Sequence, residues 1–152
     1  MKLTLITDAK ASKNRYAVCD GAGKPLWHGR FFDGDHDYNG EQSSGEMAAA
    51  KKAVWLASKI RERCGADSME LTLLVDAKWL TWANSVGAEG DNGKTGGKAR
   101  ALGETAKRLG VKLHVEHIPG ESNPADAYTI CTGYKRWQDN DFDALVATGE
   151  AS

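Results

Sequence analysis

Four carboxylates stand where chain geometry can gather them. Asp8 closes the run Lys2-Leu3-Thr4-Leu5-Ile6-Thr7-Asp8, and Asp76 closes Leu71-Thr72-Leu73-Leu74-Val75-Asp76. Glu46 lies at the opening of a small-residue helix, Ser43-Ser44-Gly45-Glu46-Met47-Ala48-Ala49-Ala50, and Asp126 follows Asn123-Pro124-Ala125 in the first turn of a later one. Acids at strand ends and helix starts converge when the strands are neighbours. Gathered carboxylates raise one another's pKa unless a cation joins them. Hard divalent cations such as Mg2+ prefer oxygen ligands, and two such ions together clamp the attacking and leaving oxygens of a phosphodiester.

Each acid taken alone also has a structural explanation. Asp8 suits a strand-end turn, and Asp76 an N-cap for the helix through Trp79 and Trp82. Ser43 and Glu46 have the spacing of a capping box. Asn123, Pro124 and Asp126 read as an N-cap, an N1 proline and an acid facing the helix dipole. A cap accounts for one acid at a time and not for the ordered set.

The elements that must position these acids follow from periodicity. Strands are expected over 2–8, 15–20 and 25–32, with Asp20-Gly21-Ala22-Gly23 as the first turn. A helix is expected over 44–63, where Met47, Ala50, Val54 and Ala57 recur at helical spacing. The apolar run 70–76 suits a buried parallel strand. Helices over 77–85 and 98–109, a strand over 111–118 and a last helix over 124–137 complete the pattern. Three consecutive strands followed by alternating helix and strand give an α/β fold.

The order Asp8, Glu46, Asp76, Asp126 in these settings resembles the ribonuclease H family of type HI, over roughly residues 1–137. The resemblance implies a ribonuclease H-like five-stranded mixed sheet, three antiparallel meander strands then two parallel ones, flanked by helices. It implies an endonuclease that hydrolyses the RNA strand of RNA–DNA hybrids, with two Mg2+ ions (Mn2+ the alternative) held by Asp8, Glu46, Asp76 and Asp126. The products would carry 5′-phosphate and 3′-hydroxyl ends. Gln42 and Ser43 fall where the family often has polar side chains reaching the minor groove, and Lys78 where it often has glutamine. Trp82 falls near the expected DNA-strand channel, and Lys10, in an early basic cluster, is expected to bind substrate.

Two departures mark this chain. Glu121 occupies the place of a histidine that many members carry before the last acid, and Asn123 precedes Asp126 by three residues where four is commoner. Glu121 is kept as an auxiliary site residue. His114 and His117, three apart on one strand, read as packing or surface residues. The glycine-rich run 87–95, with Lys94, looks like a phosphate loop but lacks its first glycine. It stands where the family often has a basic helical handle.

The 152 residues suit one domain, with 138–152 as an acidic, flexible tail. Hydrophobic residues make up 41% and charged residues 27%, ordinary for a globular protein. No apolar run suits a membrane span, and the N-terminus lacks a signal-peptide layout. Cys19, Cys64 and Cys131 are scattered and odd in number, which suits a reducing, cytoplasmic setting. A net charge of -1 is unusual for a nucleic-acid binder, although the basic residues are clustered. A monomer acting on RNA–DNA hybrid is the expectation. Two alternatives stay open: another nuclease of the same fold, such as a resolvase or exonuclease, or a weak or inactive nucleic-acid-binding module.

Overall fold

A computed structural model of the chain describes residues 1–31, 37–87, 91, 97–147 and 150–151. Five strands form one sheet: β1 (Lys2–Lys10), β2 (Arg15–Asp20), β3 (Pro25–Arg30), β4 (Met69–Val75) and β5 (Val111–His117). Their spatial order is β3-β2-β1-β4-β5. The β1–β2 and β2–β3 pairs are antiparallel, whereas β1–β4 and β4–β5 are parallel. This is the mixed sheet expected from the order of elements.

The first hairpin is held by Asp20, whose Oδ1 accepts from the backbone N–H of Ala22 and of Lys24, both at 2.9 Å. Helix α1 (Gln42–Cys64) crosses from β3 to β4 and buries Ala49, Ala50, Ala53, Val54, Leu56, Ala57 and Ile60 against one sheet face. The alanine run lets the helix lie close to Leu3, Leu5, Leu71 and Leu73. The 3-10 helix Lys78–Ser85 and α2 (Ala99–Arg108) connect β4 to β5. Helix α3 (Asp126–Ile130) covers the opposite face, where Ile6, Ala17, Cys19 and Ala125 form a smaller cluster with Leu74, Ile118 and Tyr128.

Two elements differ from the expectation. The last helix, expected over 124–137, stops at Ile130: Cys131 is extended, Gly133 has φ +83°, and the chain turns to bridge Lys135 with His28 at the β3 edge. The segment read as an acidic tail carries α4 (Asp139–Ala147), in which Leu145 is 2% exposed. Asp141 in that helix accepts two bonds from Lys135 Nζ, at 2.9 and 3.0 Å. Ala151 then bridges Leu3 on β1. The phosphate-loop-like run lies mostly outside the described residues; only Gly87 and Asp91 of it are within them, and Lys94 is not. Among the described residues no helix is long and apolar enough to cross a membrane.

Burial of Leu145 makes the C-terminal segment part of the stability of the domain. Leu145→Ala should lower unfolding free energy by about 2–5 kcal/mol in urea denaturation. A change below about 0.5 kcal/mol, the usual range for surface substitutions, would show that α4 does not seal the core.

Candidate active site

Strand alternation decides which side chains meet. Along β1, Leu3, Leu5 and Ala9 face α1, so Ile6, Asp8 and Lys10 face the other side. Along β4, Leu71, Leu73 and Val75 face α1, and Leu74 and Asp76 the other side. The parallel register sets Ile6 against Leu74, so two residues further on Asp8 comes beside Asp76. Glu46 enters from the first turns of α1. Asp8, Glu46 and Asp76 line one small cleft of about 10 Å³, with Thr7, Val75 and Leu80 in its walls.

Each acid meets a donor from the fold. Asp8 Oδ1 accepts from the Ala9 N–H at 2.9 Å. Glu46 Oε1 accepts from Trp79 Nε1 at 3.1 Å. Asp76 Oδ2 accepts from Asn123 Nδ2 at 3.4 Å, and Asp126 Oδ1 is paired with Lys10 Nζ at 3.4 Å. The capping explanation of Glu46 fails: α1 begins at Gln42 after Glu41, with no side-chain cap, so Ser43 is already inside the helix. Trp79 reaches Glu46 across 33 positions of sequence.

Crowding shows in the protonation of two acids. Burial, then the charge of Asp76, and also Asp126, push the Asp8 carboxyl up to about 7, against the opposing pull of the Ala9 N–H. Burial also raises Glu46, helped by Asp76 and opposed by the Trp79 bond.

The donor chemistry fits a hard divalent cation, being all carboxylate oxygen in a partly desolvated cleft. The side chains as they stand do not form a cage: among the described residues, no group of three or more His, Cys, Asp or Glu is placed to hold an ion. Coulomb interaction in a half-buried cleft acts well beyond a metal–oxygen bond of about 2.0–2.6 Å.

The expected substrate contacts divide. Lys10 is outside the lining of the cleft and pairs with Asp126, which adjoins Asp8. Gln42 is turned onto β1 backbone, its Nε2 donating to Ala9 O at 2.6 Å and its Oε1 accepting from Ala11 N at 2.9 Å. Ser43 accepts from Lys98 Nζ at 3.1 Å and lines a separate groove of about 210 Å³ with Asp37, Asn39 and Met47. Lys78 and Trp82 are exposed on the 3-10 helix, Trp82 at 66%. Glu121 is exposed in the turn Gly120–Ser122, and His114 and His117 are exposed on β5. Sequence reasoning missed the second role of Asn123. Buried at 5% exposure, it ties Thr7 O, Asp76 and the Ala125 N–H together, the last by an ordinary Asx contact that a cap would also make.

No family model matches the sequence, and no curated protein matches it. Among solved structures, the chain is similar to RNase H1 from the halophilic archaeon Halobacterium salinarum NRC-1. That likeness has a TM-score of 0.50 and 15% identity, over 84% of this chain and 94% of that one. It is also similar to the N-terminal RNase H domain of a Mycobacterium tuberculosis protein, solved as a fusion with maltose binding protein. There the TM-score is 0.48 and the identity 13%, over 97% and 99% of the two chains. The strand order and the first of these likenesses define a ribonuclease H-like fold. At this identity the likeness is one of fold.

A raised carboxyl pKa means that the folded state binds the proton more tightly than the unfolded one. The stability this adds is full below the unfolded value of about 4 and is lost as pH rises through about 7. In EDTA, the melting temperature should therefore fall over that window, and Asp8→Asn should remove much of the fall and be the more stable chain above it. Parallel pH curves for the two chains would separate Asp8 from the field of its neighbours.

Proposed function

We propose that the protein is a metal-dependent endonuclease that hydrolyses the RNA strand of RNA–DNA hybrids, leaving 5′-phosphate and 3′-hydroxyl ends. The observation that carries this reading is the convergence of Asp8, Glu46 and Asp76 on one cleft, with Asp126 close enough to raise Asp8. A crowded acidic cluster is costly to maintain, and a function that uses it is the natural reason for its presence. The ribonuclease H-like fold is consistent with the reading, and the ordered acids of the sequence support it.

Asp8 and Asp76 lie side by side at the ends of β1 and β4 and would share a cation. Glu46, held by Trp79, and Asp126, held by Lys10, would complete the ligand set from two helices. Two Mg2+ ions, or Mn2+, would supply neutralisation of the acids and a clamp on the attacking and leaving oxygens of the phosphodiester. Asn123 would keep Asp76 aimed. Glu121 has no assigned proton-transfer step. The thiols of Cys19, Cys64 and Cys131 suit a reducing compartment such as the cytoplasm, with the protein acting as a monomer.

The absence of a ready three-carboxylate cage among the described residues favours one second reading, a nucleic-acid-binding module with little or no turnover. Labelled hybrid incubated with Mg2+, Mn2+ or EDTA, beside duplex DNA and duplex RNA, separates the two. Cleavage restricted to hybrid and dependent on metal is the expected outcome. Hybrid retention without cleavage would favour the module, and cleavage of duplex DNA a different nuclease.

Two further outcomes are expected. Mg2+ or Mn2+ should raise the melting temperature of the wild type, and Asp8→Asn combined with Asp76→Asn should largely abolish the gain. An equal response in both chains would defeat a shared metal site. Glu46→Gln leaves the helix start intact, because Glu46 caps nothing, and it can still accept from Trp79. It should therefore fold with near-normal stability while hybrid cleavage drops by orders of magnitude. Unchanged cleavage would leave Glu46 a structural residue only.

A further inference from the structure

We propose that Lys10 is a placeholder cation beside the acidic cleft, holding Asp126 and making the divalent site at that carboxylate the weaker of two. The inference rests on the metal-dependent reading above and concerns what distinguishes the two ion positions.

Alternation along β1 puts Lys10 on the same face as Asp8, toward the start of α3. Its Nζ stands 3.4 Å from Asp126 Oδ1. Gln42 grips the strand on both sides of Lys10 through Ala9 O and Ala11 N, which fixes the backbone from which the side chain leaves. Lys10 thus reaches Asp126 from a clamped strand end and not from a loop. The acids are not treated alike: Asp8 and Asp76 are bonded by neutral donors, an amide N–H and an Asn side chain, whereas Asp126 is met by a full positive charge. A divalent ion at Asp126 must displace that ammonium, and one between Asp8 and Asp76 need not.

The pair is half open to water, at 34% and 46% exposure, so the competition is modest. Pairs of this kind shift an equilibrium by about two- to fivefold. That is enough to order two otherwise similar sites. It is too little to close either of them.

Calorimetric titration of the whole chain with Mn2+ alone, without nucleic acid, tests the proposal, with thermal shift as a second readout. Wild type should show two binding steps. Lys10→Met should tighten the weaker step about two- to fivefold and leave the tighter one in place. Lys10→Arg, which keeps the charge, should resemble wild type. In an Asp126→Asn background the weaker step should be gone and Lys10→Met should change nothing further, which identifies the two side chains as one coupled pair. An unchanged weaker step in Lys10→Met overturns the placeholder role while leaving the metal site standing. Equal tightening of both steps overturns the assignment to Asp126, since it would reflect the general loss of a positive charge. No heat and no thermal shift in any chain would overturn the metal-dependent function itself and the placeholder with it.

Discussion

Parallel pairing of β1 with β4 is the constraint on which the site depends. With Ile6 opposite Leu74, the two aspartates two residues further on lie side by side at the carboxyl ends of adjacent strands. A slip of one residue would turn every side chain of β4 to the other face. Asp76 would then point at the α1 core. The apolar alternation of Leu71, Leu73 and Val75 prevents that slip, because reversing it exposes three buried side chains.

Topology brings in the other two acids for the same reason. Strand β3 runs antiparallel to β2, which runs antiparallel to β1, so β3 and β1 end on the same side of the sheet. The helix that follows β3 therefore starts there, with Glu46 in its opening turns. Strand β5 is parallel to β4 and ends on that side as well, and the chain leaving it enters α3 at Asp126. All four carboxylates reach one end of the sheet because each closes a strand of that direction or opens the helix after one.

Gathering like charges opposes folding, and the structure answers it with one donor at each acid from a nearby element: the Ala9 amide, Trp79, Asn123 and Lys10. These donors orient the carboxylates more than they neutralise them, as the raised Asp8 shows. Three are neutral and one is an ammonium, so the cleft is electrostatically uneven. A site with this much unspent negative charge lowers stability where a cation would restore it, a common relation between function and stability.

The amino-acid sequence by itself determined the kinds of elements and their order. Alternation in β1, the apolar run of β4 and the alanine face of α1 are local patterns, and local patterns decide period and burial. The four acids were legible for the same reason, since each marks the end or start of an element. Their purpose was not legible locally, because a cap and a ligand use the same carboxylate chemistry and differ only in what stands opposite. Glu46 is separated from capping by Trp79, 33 positions away, and Asn123 gains its second role from Asp76, 47 positions away. Gln42, which the resemblance makes a substrate contact, bonds the backbone of β1 and the residue after it, a fact visible only once α1 is laid against that strand. The early end of α3 and the packing of α4 likewise depend on the edge of β3 and on the core under Leu145. Tertiary structure decided these points because partners distant in sequence, and not propensity, determine where a polar side chain or a short helix finds its lowest free energy.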